Sequence, residues 1–157
     1  ELASARQDAG RPRDALPLYQ QAMGIVESLQ GRRSASYAVD VNNLATALEE
    51  LGEPAAEARY RESLAIREAV HPAGDLRIAR AQHILARWLM RQGRLPEALS
   101  LTRAALQSRQ ARLKPDHQEC IDSGLQLAEL AIEAGHRWRK TGRSWPSTGS
   151  IRSISKR

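Results

Sequence analysis

A chain of 157 residues, 41% apolar and 27% charged, is long enough for one ordinary domain and too apolar to be disordered throughout. Aromatics are scarce, Phe is absent, and Ala, Leu, Arg, Glu and Gln are plentiful, a composition of helices packed through small residues; no apolar run approaches the roughly 20 residues of a membrane helix. The formal charge of +6 is unevenly placed, because residues 136–157 hold seven Lys and Arg and no acid, leaving 17 basic against 18 acidic side chains in 1–135, a near-neutral body without the basic face of a folded nucleic-acid module.

The chain opens on ELASARQDAG, inside a helical pattern and without Met or a charged-then-apolar leader, and reads as a piece of a longer protein. Helical spacing predicts helices near 1–9, 12–30, 35–51, 54–70, 76–92, 95–113 and 117–134. Gly10, Gly52, Gly93 and Gly135 each follow the last apolar residue of a first helix, 42, 41 and 42 residues apart. A left-handed residue closing a helix costs Gly no steric penalty. Pro12, Pro54 and Pro96 follow the first three, in a first turn where no intrahelical N–H bond is lost. Eight and seven residues before each Gly stand Leu2-Ala3, Leu44-Ala45, Leu85-Ala86 and Leu127-Ala128, and four before stand Leu48, Leu89 and Ala131, with Arg6 as the departure. This face is expected to pack on the unit's second helix, which supplies Ala15, Tyr19, Ala22 and Met23, then Ala56, Tyr60, Ser63 and Leu64, then Ala98, Thr102, Ala105 and Leu106. Ser34 or Ser36, Asp75 and Asp116 are expected N-caps, with Glu119 placed as in a capping box.

These residues resemble tetratricopeptide repeats, whose helix pairs carry Leu-Ala, a turn Gly, then Ala, an aromatic and Ala at such offsets. The period of about 42, with VNNLATALEELG, DALPLYQQAM and AEARYRESLAIRE, is similar to the kinesin-light-chain subclass. LKPDHQE resembles that subclass's Asp-His-Pro linker with Gln118 in place of Pro, and the His-Pro at 71–72 lies off its register. The resemblance implies an all-α, right-handed α-solenoid of about three and a half repeats over 1–135. Residues 136–157, rich in Ser, Gly and Arg, break the pattern and are expected to form a disordered basic tail. The face around Leu127, Leu130 and Ala131 is then expected to be exposed, unless Trp138 and Trp145 fold back over it; the alternative is a tail foreign to the repeat region, as after a frame change.

Chemistry finds little purchase. His71, His83, His117 and His136 show no metal-ligand spacing, Cys120 is a lone cysteine expected to be buried and inert, and no nucleophile elbow, phosphate-cradling loop or carboxylate pair is present. No enzyme, cofactor or metal is expected, and a reducing cytoplasm fits best.

Function must come from surface, and the first helices of a two-helix solenoid line a groove. Stepping back three, six, ten and thirteen residues from each Gly gives Glu49, Thr46, Asn42 and Val39, then Met90, Arg87, His83 and Arg80, then Ile132, Glu129, Leu125 and Asp122, with Gln7 and Ser4 from the first unit. Arg80 and Arg87, with Arg91 beside them, are expected to pair with carboxylates of an extended peptide. Asn42 and Asn43 would bond its backbone, and Met90, Leu125 and Ile132 would take apolar side chains. The bland counterpart is that Arg87 bridges to Glu49 or Glu129 and the stripe is solvated. Family members that clamp two carboxylates use Asn and basic residues; Asn43 and Arg80 are similar to parts of that clamp, Ser4 and Ile84 are not. Trp88 is expected to wedge between repeats. The expected function is protein or peptide binding as part of a scaffold or signalling protein. Alternatives are anion or nucleic-acid binding through 136–157, and self-association of stacked ends that a polar substitution at Leu130 would relieve.

Overall fold

The computed structural model describes residues 2–141, with side chains for 3–7 and 9–136. The described residues form seven helices and no strand: α1 (Leu2–Asp8), α2 (Pro12–Gln30), α3 (Ala35–Glu50), α4 (Ala55–Val70), α5 (Leu76–Arg91), α6 (Leu95–Gln110) and α7 (Gln118–Thr141). They pack as the pairs α1/α2, α3/α4 and α5/α6 followed by α7, each helix on its neighbours in sequence, so the described residues form an all-α helical repeat solenoid.

The three turns within pairs are built alike. Gly10, Gly52 and Gly93 have φ of 71°, 72° and 72°. The amide one residue later reaches back to close the helix: Arg11 to the Arg6 carbonyl at 3.0 Å, Glu53 to Leu48 at 2.9 Å, Arg94 to Leu89 at 2.9 Å. Gly135 departs. It lacks the left-handed φ, and α7 runs through it to Thr141 instead of stopping near 134. His136 and Arg137 follow it where the other units have a Pro soon after, so nothing in the local chemistry stops the ladder. The expectation of disorder for the rest of 136–157 falls on 142–157, outside the described residues.

Linkers are capped as predicted at two places. The Ser34 hydroxyl accepts from the Tyr37 amide at 3.2 Å and the Asp75 carboxylate from the Arg77 amide at 2.8 Å. At α7 the cap is His117, not Asp116: its ring Nδ1 accepts from the Glu119 amide at 3.2 Å and its carbonyl from Cys120 and Ile121. The capping box of Asp116 and Glu119 does not form, because Glu119 turns to the guanidinium of Arg109 at 3.3 Å.

Leu44, Ala45, Leu85, Ala86 and Leu89 are buried, as are Ser63, Thr102 and Ala105 of the second helices, and Ala45, Leu85, Ala86 and Leu89 share one cluster with Ala56, Tyr60, Leu64 and Ala98. Trp88 is buried in the same cluster, and Cys120 is buried and free. The last first-type helix is different. Leu130 is only 1% exposed, contrary to expectation, since it stands five residues before Gly135, the register of Ala47 and Trp88, which faces the preceding pair. Ala128 and Ala131, which a second helix would cover, are exposed, as are Ile121, Leu125 and Ile132.

Candidate peptide-binding groove

The groove stripe lies on α3, α5 and α7, one helix per unit, because in each of them the opposite face is committed to the core. Asn42, Asn43, Thr46, Glu49, His83, Arg87 and Met90 are half-buried, while Arg80, Arg91, Leu125 and Glu129 are exposed. Asn42 takes part through its backbone, its carbonyl accepting from the Thr46 hydroxyl at 3.1 Å. The structure brings Glu49 and Arg91 together and sets Met90, Arg91 and Glu129 around one cleft, and the predicted residues differ in their freedom to meet a ligand.

In the first two units a buried tyrosine of the second helix reaches through and ties the lining residues down. Tyr60 donates to Glu49 at 2.6 Å and lies 3.3 Å from the Thr46 hydroxyl, and Tyr19 donates to Gln7 at 2.8 Å with Ser4 at 3.5 Å. Burial, and then the bond to Glu49, raise the Tyr60 hydroxyl well above its ordinary range, so it stays a donor. Arg91 completes the arrangement by pairing with Glu49 across one repeat. This corrects one expectation: the bridge to Glu49 is made by Arg91, and Arg87 takes no carboxylate among the described residues.

In the third unit the tyrosine's place is held by Thr102, whose short hydroxyl bonds Gln126 at 3.2 Å instead. Gln126 in turn donates to the His83 carbonyl at 3.2 Å. No such tie holds the lining pair there. Arg87 Nε and His83 Nδ1 are buried without a hydrogen-bond partner among the described residues, a costly condition for polar atoms in a folded chain. Burial first, then the positive charges of Arg109 and Arg87, hold the His83 imidazole below its usual range and therefore neutral near pH 7. The tyrosine ties were missed by sequence reasoning, although Tyr19 and Tyr60 against Thr102 at one register were visible in it.

At the turn end of the stripe, Met90, Arg91 and Glu129 line an open cleft of about 740 Å³ with Gly93, Leu95, Glu133 and His136. Glu133 and His136 escaped prediction because the helix that carries them was expected to end between them. Among the described residues, no three His, Cys, Asp or Glu side chains gather as a metal site would require. No described helix is long and apolar enough to cross a membrane.

Family models described as tetratricopeptide repeat match residues 1–69 and 78–119. The fold is similar to two crystal structures of the nearly identical TPR-like repeats of a kinesin light chain of Podosopora anserina, one of them a point variant. Both give a TM-score of 0.78, at 23% and 22% identity, over 91% of this chain and 74% of theirs. It is equally similar, at a TM-score of 0.78 and 21% identity, to BtubC (BKLC) from P. vanneervenii over 99% of this chain and 68% of that one. No curated protein matches.

Proposed function

We propose that this chain, which belongs to the tetratricopeptide repeat family, is a non-catalytic module that holds an extended acidic segment of a partner protein along α3, α5 and α7. Repeats of this family generally mediate protein–protein interaction, and the finer reading rests on one observation: two of the third unit's lining cations, Arg80 and Arg87, are uncommitted. Arg91 is neutralised by Glu49, whereas among the described residues Arg80 is exposed without an ion pair and Arg87 keeps an unpartnered buried Nε. The seven-residue step from Arg80 to Arg87 advances about 10 Å along the helix. A polyproline-like peptide advances about 9 Å in three residues and brings the third back to the same side. Two acidic side chains three residues apart would therefore sit over Arg80 and Arg87, each able to accept a charge-assisted, bidentate bond. Leu125 and Ile132, 59% and 60% exposed on α7, would receive apolar side chains of the same segment.

The test is binding of the whole chain to an array of extended peptides of graded acidity and spacing, beside an Arg80→Glu, Arg87→Glu double variant of unchanged helicity. A subset with acids three apart should bind the parent and lose at least tenfold with the variant, as expected for hydrogen bonds to charged groups. Binding indifferent to the charge reversal would refute the groove reading.

A further inference from the structure

At the linker end of the third unit, arginines from two helices and a loop flank the α4–α5 linker with almost nothing to neutralise them. Arg67, near the end of α4, is half-buried, and the one hydrogen bond of its guanidinium among the described residues is a long 3.4 Å contact from Nε to the Ser63 hydroxyl. No described carboxylate pairs with it. Arg109, buried on α6, is by contrast met by Glu119 and the Ser123 hydroxyl. What Arg67 meets instead is like charge: burial first, then Arg80 and Arg77, hold its guanidinium below its ordinary range. Arg77 is itself shared between Asp75 at 3.4 Å and the His71 Nδ1 at 3.2 Å. Arg112 projects over the same linker, its Nη2 4.0 Å from where a Cβ on Gly74 would stand. The carboxylate of this corner, Asp75, is already engaged by the Arg77 amide and guanidinium. His71 adds a donor, since accepting from Arg77 at Nδ1 leaves the proton on Nε2, which is buried without a partner among the described residues.

We infer that Arg67, Arg77, Arg80 and Arg112 form a binding site for a phosphate monoester at the α4–α5 linker. A half-buried guanidinium with no carboxylate partner among the described residues is destabilising unless an anion enters. A carboxylate carries one charge and saturates one guanidinium fork. A phosphate monoester carries about −1.5 to −2 and three acceptor oxygens, enough to engage several guanidiniums that flank one linker. The site stands apart from the groove reading, sharing only Arg80 with it.

Thermal unfolding of the whole chain would be followed in inorganic phosphate, in the tripeptide Ala-phosphoserine-Ala and in acetate, with sodium chloride holding ionic strength constant. Phosphate or the phosphopeptide should raise Tm by about 3 to 5 °C for each tenfold increase above its dissociation constant, and acetate should not. Tighter binding of the phosphopeptide assigns the monoester to a phosphorylated chain, and tighter binding of phosphate to a free anion. Arg67→Gln should abolish the rise, and Arg112→Gln, on an exposed residue whose loss leaves the fold intact, should weaken it roughly tenfold. Arg87→Gln should leave it unchanged, which separates this site from the groove. No rise, an equal rise in acetate, or a rise undiminished in both Arg67→Gln and Arg112→Gln would overturn the assignment.

Discussion

Gly52 and Gly135 occupy the same register of the 42-residue period, yet replacing each by alanine should change stability in opposite directions. Gly52 closes α3 at φ 72°, and Gly135 lies within α7 without a left-handed φ. An added Cβ would meet nothing within 4 Å at either position, so packing contributes nothing and backbone conformation decides the sign. At Gly52 a side chain forced into the left-handed region costs about 1 to 2 kcal/mol. At Gly135 alanine gains up to about 1 kcal/mol, the helix-propensity difference between the two residues. The separation of about 1 to 3 kcal/mol corresponds, for a chain of this size, to roughly 2 to 12 °C in Tm. Circular dichroism at 222 nm on Gly52→Ala, Gly135→Ala and the parent reads it directly. Equal losses in both variants would mean that the fourth glycine also closes a helix, and the account of α7 would fall.

Other outcomes follow from the same geometry. Leu130→Ala should cost about 2 to 5 kcal/mol in chemical denaturation, and Leu130→Ser should destabilise rather than relieve any association, because the side chain is in the core. Tyr60→Phe should cost about 1 to 2 kcal/mol and loosen Glu49, seen as faster exchange of the Arg91 guanidinium protons by NMR. His83 should titrate below 6.5 in the folded chain. Its unfolded form then binds the proton more readily, so this residue's contribution is fully present above pH 6.5 and is lost as pH falls from there through the folded value. His83→Gln should flatten that part of the stability profile.

The helix pairs were legible because each turn states itself twice, in a glycine that accepts the left-handed region and in a proline that cannot continue the first helix. Gly135 shows the limit of that reading. The glycine and its spacing persist while the proline is gone, and the helix continues. Leu130 was misplaced for a related reason: its apolar character signals burial but not which neighbour buries it, and its register with Ala47 and Trp88 was the discriminating fact. The stripe proposed as a groove follows from helical period alone. Which of its side chains are spoken for does not, since that depends on Tyr19 and Tyr60 reaching through from the second helices. Arg67 was invisible for the same cause. A sequence shows how many charges a segment carries, but not that several of them meet across a linker.

The alternation of Tyr19, Tyr60 and Thr102 at one register gives the solenoid an unequal division of labour. Where the hydroxyl is long, the groove-lining residues belong to the scaffold and contribute to its rigidity. Where it is short, the same positions are left with unspent bonding capacity. A single codon in the second helix therefore decides whether a unit's face is structural or available, and new specificities can arise in one repeat while its neighbours keep the array folded.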